Sequence, residues 1–186
     1  SISFRVKKTE FFGLLGPNGA GKTTTINMMA SILKPTEGEL RILGINVKKQ
    51  PVEVKKIIGL VFQDSALDRQ LTVRENLMFA GMLHGLKKDL IEKRLIELLT
   101  LFGLEDKKNK PVGSLSGGQR RGVDIARGVI HQPRVLFLDE PTIGLDVSAR
   151  VKIWRFIHKL RKSNKITVVL TTHYLEEAES CDNVCF

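Results

Sequence analysis

Phe11-Phe12-Gly13-Leu14-Leu15-Gly16-Pro17-Asn18-Gly19-Ala20-Gly21-Lys22-Thr23-Thr24 is the stretch on which the fold turns. Its first five residues are an apolar run that reads as a buried strand. The remainder sets Gly16 and Gly21 either side of four residues, directly ahead of a lysine and a hydroxyl. Glycines at this spacing let successive backbone N–H groups curl around an anion. The helix that follows turns its positive end toward it, and Lys22 adds a mobile charge. Thr24 to Leu33 carries helical apolar spacing (Ile26, Met29, Ala30, Leu33) and stops before Pro35. Strand, loop and helix follow in the order a phosphate-binding loop needs. The expected cradle is Gly16, Pro17, Asn18, Gly19, Ala20, Gly21, Lys22, Thr23 and Thr24, with Thr23 as a magnesium ligand.

Outward from the loop, Ile2 to Val6 alternates like a half-buried strand, and Lys7 to Glu10 form a turn. Beyond it, strands are predicted at Glu39–Leu43 and Ile57–Phe62, the second ending at Gln63. From Asp64 to Ile130 the texture is helical, with periods at Val73–Leu83 and Asp89–Phe102 and no strand. Beta character returns at Val135–Leu138 and Thr167–Leu170, each after helix-like sequence (Val123–His131, Ala149–Lys162). This alternation predicts an α/β domain whose mainly parallel sheet is flanked by helices. Residues 1–63 and 131–186 would form the core, and 64–130 an inserted helical subdomain.

The 186 residues, 42% hydrophobic and 27% charged, suit one soluble globular domain. No apolar run approaches the length of a membrane helix, so a partner would have to supply any span. Cys181 and Cys185 read as small packed side chains. The net charge of +10 implies an anionic partner, but the basic pairs, Arg120-Arg121 among them, read as solvated faces. They lack the interleaved aromatics of a nucleic-acid platform, so direct nucleic-acid binding is not expected. Both ends read as cut, with Ser1 opening on a strand and Phe186 closing inside another.

Val135-Leu136-Phe137-Leu138 runs into Asp139-Glu140, which puts two carboxylates where open α/β sheets bind ligands. Asp139 is suited to hold magnesium, or else to cap the strand end, and Glu140 to act as general base toward an attacking water. His173 follows the strand at Thr167 and the pair Thr171-Thr172, so a parallel sheet delivers it to the same edge, within reach of a γ-phosphate. Gln63 ends a strand there too. Its amide could ligate magnesium or hold the water, and a solvated strand end serves equally well as a reading. His84, His131 and His158 read as packed or surface side chains.

Leu115-Ser116-Gly117-Gly118-Gln119, with the loop, Gln63, Asp139-Glu140, Gly144-Leu145-Asp146 and His173 in that order, makes the chain resemble the ATP-binding cassette ATPases of ABC transporters. The resemblance implies a P-loop NTPase fold with a RecA-like core. It also implies ATP and Mg2+ as ligands, and Thr23, Gln63 and Asp139 around the metal. Ser116, Gly117, Gly118 and Gln119 would start a helix that binds the γ-phosphate of an ATP held by a second, facing copy. Asp146 would lie across that interface, and His173 would be the switch histidine.

More narrowly, Phe62-Gln63-Asp64, Leu71-Thr72-Val73-Arg74-Glu75-Asn76-Leu77 and Glu140-Pro141-Thr142-Ile143-Gly144-Leu145-Asp146 resemble the ATP-binding subunits of ABC-2 type multidrug exporters, akin to daunorubicin-resistance proteins. This implies a homodimer that powers drug, small-molecule or lipid export through a separate transmembrane permease, docked near Gln63 to Glu75 at the cytoplasmic face of the cell membrane. The family's adenine-stacking aromatic has no counterpart ahead of the loop, and Phe4 is a poor substitute. One alternative is a relative acting on nucleic acid or the ribosome. The 52 residues between Gln63 and Ser116 leave no room for a long coiled coil, and only one cassette is present. Another is a nucleotide-gated module that hydrolyses little, which the presence of Glu140 and His173 opposes.

Overall fold

The computed structural model describes residues 2–186, and Ser1 lies outside the described residues. The chain runs β1 (Phe11–Leu15), α1 (Lys22–Met29), β2 (Arg41–Ile42), β3 (Ile45–Asn46), α2 (Pro51–Ile57), β4 (Ile58–Val61), α3 (Val73–Leu83) and α4 (Lys88–Phe102). It continues with α5 (Gly117–Val129), β5 (Val135–Asp139), α6 (Val147–Asn164), β6 (Thr167–Thr172), α7 (Leu175–Ala178) and β7 (Asn183–Cys185). Five strands form one sheet in the order β4-β5-β6-β1-β7, and every neighbouring pair is parallel.

Parallel sheets are covered on both faces, and successive side chains of these strands divide between two cores. Phe11, Leu136, Leu138, Val168 and Leu170 pack with the helical side, which includes Leu77, Leu95, Ile125 and Phe156. Phe12, Leu14, Phe137 and Val169 pack with Ile26, Met29 and Val54. The continuous apolar strands of the sequence have this two-faced burial as their cause. The expected parallel α/β architecture is the observed one.

Helix α5 lies closest to the sheet. A Cβ on Gly59 of β4 would stand 2.2 Å from the carbonyl oxygen of Gly128 on α5, so backbone meets backbone at that crossing. Helices α3 and α4, with α5, pack together between β4 and β5 in chain order, as the helical texture predicted. Thr72 begins α3 with a reciprocal capping box to Glu75.

Three local expectations are corrected. Ile2–Val6 is not a strand: no strand among the described residues lies beside it, and Phe4 instead stacks on Phe12 with centroids 5.2 Å apart. The strand predicted at Glu39–Leu43 shrinks to β2, because Leu43 (φ 50°) and Gly44 (φ 88°) turn the chain back onto β3. The helix after the loop starts at Lys22 rather than Thr24 and stops at Met29, two residues before Ser31 at φ 58°. Two short helices, α2 and α7, had no counterpart in the pattern of the sequence.

Candidate functional site

At the C-terminal end of β1 the loop residues Gly19 (φ 84°) and Gly21 (φ 90°) adopt the left-handed conformation, and Gly21 is the N-cap of α1. No side chain caps α1 and no acid lies in its first turn, so its leading N–H groups have no side-chain acceptor. Pro17 to Thr24 are exposed but for Gly21 and Lys22, which are half-buried. The Lys22 ammonium donates to the carbonyls of Gly16 (2.8 Å) and Pro17 (3.1 Å) and lies 3.6 Å from Glu140 Oε1.

Strand register brings the acids to this loop. Asp139 ends β5 opposite Thr171 of β6, and the Thr171 hydroxyl donates to Asp139 Oδ1 at 2.5 Å. The same Oδ1 accepts from the Thr23 hydroxyl at 3.1 Å. The two metal-ligand candidates Thr23 and Asp139 are thus hydrogen-bonded neighbours with oxygen donors only, a set that suits a hard cation such as Mg2+. Glu140 is 7% exposed and its backbone N–H donates to Thr171 Oγ1. Its other carboxylate oxygen lies 2.8 Å from His173 Nδ1. Lys22 of α1, Glu140 after β5 and His173 after β6 thus meet.

Gln63 takes its place differently. Its side chain is exposed and makes no hydrogen bond among the described residues, while its backbone carbonyl accepts from Arg121. Arg121 corrects the reading of the Arg120-Arg121 pair as a solvated face, since it is 8% exposed. Its guanidinium donates to the carbonyls of Phe62, Gln63, Asp139, Glu140 and Pro141. The missed signal was spacing: Arg121, Ile125 and Gly128 repeat at i, i+4 and i+7, so the arginine shares the apolar face of α5. Thr142 and Thr172 were also passed over. Both hydroxyls donate to the buried Glu177 carboxylate, which ties the turn after Glu140 to the residue before His173.

Ser116 is the N-cap of α5 in a second capping box. Its hydroxyl accepts from Gln119 N–H, and Gln119 Oε1 accepts from Ser116 N–H at 3.0 Å. Asp146 caps α6 through the Ala149 N–H at 2.9 Å. These two starts adjoin each other, because a Cβ on Gly118 would meet Ala149 Cβ at 2.6 Å. Among the described residues, no hydrogen bond links Ser116, Gly117, Gly118, Gln119 or Asp146 to the phosphate-binding loop of the same chain. Tyr174 lies beside His173, ring centroids 4.0 Å apart, and Arg150 of α6 sits 4.9 Å over the Tyr174 ring.

The remaining titratable groups behave as packing residues. His131 stacks on His84 at 3.6 Å, and burial, with help from the neighbouring His84, lowers its pKa to about 4. His158 meets Phe11 edge-on. Cys181 and Cys185 are free thiols, and burial pushes Cys181 up to about 12.

A parallel sheet with this loop, two acids at the end of β5 and a histidine beside them defines a nucleotide-binding domain of the phosphate-loop class. Residues 1–143 match the ABC transporter family, and the chain belongs to that family. It is 45% identical over 185 residues to the Nod factor export ATP-binding protein I of Ralstonia nicotianae, covering 99% of this chain and 57% of that protein. It is 44% identical over 179 residues to the doxorubicin resistance ATP-binding protein DrrA of Mycobacterium tuberculosis, covering 96% and 54%. The chain therefore spans little more than half the length of these relatives. Among solved structures, cbiO1 from Clostridium perfringens, part of the ABC transporter complex cbiONQ, superposes with a TM-score of 0.89 at 34% identity, over 98% of this chain and 75% of that one. The dimeric ATP-binding cassette MJ0796, in a post-hydrolysis state with ADP and Pi, gives 0.86 at 33%, over 97% and 82%. No helix among the described residues is long and apolar enough to cross a membrane.

Proposed function

We propose that the chain is the ATP-binding and ATP-hydrolysing domain of an ABC exporter. The observation that carries this is the meeting of Lys22, Glu140 and His173 beside the bare start of α1. The backbone of Gly16 to Thr24 receives the phosphates, and the Lys22 ammonium, now on the Gly16 and Pro17 carbonyls, swings to the β- and γ-oxygens. That movement releases Glu140 from its ion pair to take the proton of the attacking water. His173 donates through Nδ1–H to Glu140 and, with a proton on both ring nitrogens, through Nε2–H to the γ-phosphate. Thr23, Asp139 and Gln63 would hold Mg2+, which would supply positive charge to offset that of the phosphates.

Among the described residues, Ser116, Gly117, Gly118 and Asp146 make no hydrogen bond with their own loop, which supports the reading that they serve the nucleotide of a second copy in an ATP-sandwiched homodimer. MJ0796, which is dimeric with ADP and Pi, supports the same reading. The export named for the Ralstonia relative and the drug resistance named for the Mycobacterium one support an export role. Exposed Phe62, just before Gln63, and Leu71, within the segment from Gln63 to Glu75, offer apolar surface to a transmembrane permease, which would hold the protein at the cytoplasmic face of the membrane.

Glu140→Gln in the full-length protein tests the chemistry. ATP hydrolysis should fall by about two orders of magnitude or more with ATP binding retained, since general-base catalysis contributes roughly 10²- to 10⁴-fold. Wild-type turnover in that variant overturns the assignment.

A further inference from the structure

We propose that Arg121 is a positioning residue that aims Glu140 and Gln63 from the helix carrying Ser116. The inference rests on Glu140 being the general base.

The fixed fork of the guanidinium is fully used. Nε donates to Pro141 O (2.7 Å), Nη1 to Phe62 O (2.6 Å) and Gln63 O (3.3 Å), and Nη2 to Asp139 O (3.0 Å) and Glu140 O (3.2 Å). None of these acceptors is a carboxylate. All five are backbone carbonyls at the ends of two neighbouring strands, β4 and β5, and their oxygens crowd toward one point. Such dipoles repel one another unless a cation with several donors stands at their focus. Burial works against the charged form of Arg121, but arginine remains protonated in proteins. Asp124 and Asp139 nearby favour the charge, but every hydrogen bond of the guanidinium goes to a carbonyl, so it sets the geometry of the chain that carries them.

That chain needs setting. Glu140 sits at φ 44°, a conformation L residues rarely adopt, and its own carbonyl and those on either side are the ones Arg121 holds. With the backbone so fixed, the carboxylate reaches Lys22 on one oxygen and His173 on the other. The Gln63 backbone is held in the same grip.

The anchor is also a lever. Arg121 lies five residues after Ser116 in one unbroken helix, and the Gly59–Gly128 contact seats that helix backbone-to-backbone on β4. A nucleotide engaged by Ser116, Gly117 and Gly118 therefore pulls on carbonyls that orient Glu140 and Gln63 of the other site.

The test compares Arg121→Lys and Arg121→Met with wild type in the full-length protein, alone and combined with Glu140→Gln, measuring nucleotide affinity and single-turnover hydrolysis of Mg-ATP. Lysine keeps the charge but cannot span five carbonyls, and methionine fills the volume without a donor. The expected result is affinity within about threefold of wild type and a hydrolysis rate at least about tenfold lower, with no further loss when either change is added to Glu140→Gln. Three results overturn the proposal: hydrolysis within twofold of wild type, a loss confined to affinity, or the same factor lost in both backgrounds, as a purely structural defect would give. If Glu140→Gln itself hydrolyses at the wild-type rate, the general-base reading falls. If Glu140→Gln is inactive while Arg121→Lys is normal, only the role of Arg121 falls.

Discussion

The starts of α1 and α5 both carry glycines and both are read as phosphate sites, yet they are finished in opposite ways. Helix α1 begins at Gly21 with no side-chain cap, no acid in its first turn and a lysine folded over the loop. Helix α5 begins with Ser116 and Gln119 satisfying each other's backbone. An uncapped helix start holds donors for an incoming anion at all times. A capped one is stable alone and offers only what its cap leaves over. The difference matches a division of labour in which α1 keeps the nucleotide and α5 visits one.

The comparison is most exposed to Lys22→Ala, which leaves the helix start bare but removes its mobile charge. ATP affinity by equilibrium binding should drop by about one to two orders of magnitude, the scale expected when a charge-assisted hydrogen bond is removed from a partly buried site. A change under tenfold would mean that the backbone alone suffices.

At the far end of α5, acid should act on the seat of that helix and spare the start of α1. His131 follows α5 and is held by Ile58 O at 2.8 Å through Nε2, while its buried Nδ1 has no partner among the described residues. Burial first, then His84 and Arg94, hold its folded pKa at about 4, below the ordinary 6.5, against the Ile58 carbonyl, which favours the second proton. The unfolded chain is protonated first as pH falls, so the contribution of His131 is whole above 6.5 and lost between 6.5 and 4. Denaturant midpoints should register a loss of roughly 2 kcal/mol over that window, reduced from the full linkage value for partial exposure. His131→Gln, which keeps the donor to Ile58, should flatten it.

Ser116→Ala should cost about 1 kcal/mol of stability, the usual worth of an N-cap, with single-site ATP affinity unchanged. Gln119→Ala should cost about half as much, because only the return bond of the box is removed. Should either change weaken ATP binding to the isolated site, the separation between the two helix starts would be wrong. Thermal melts beside binding isotherms read both quantities.

What the sequence disclosed divides along similar lines. Signals confined to one segment came through: β1 and its loop, α3 over Val73–Leu83, the acids that close β5, and the histidine beyond β6. The family assignment rests on such local, ordered motifs. Features whose meaning lies in another segment did not. Arg121 looked like half of a basic pair, because its acceptors lie 18 to 59 residues away. Ile2–Val6 had the alternation of a strand, but a ladder needs a neighbour and none is present among the described residues. Helix α2, seven residues beginning at Pro51, was too short to show a period.

The place of β1 in the sheet bears on how such a site can be made. The strand that carries the loop is flanked by β6, paired Phe11 to Val168, and by β7, paired Phe12 to Asn183. On the ribosome the loop is synthesised early, yet both shoulders of its strand come from residues translated more than 150 positions later. Contacts so distant along the chain form slowly, and an unpaired strand of this apolar character is a target for wrong partners in the meantime. The strand that carries the loop has both of its neighbours only once β6 and β7 have emerged.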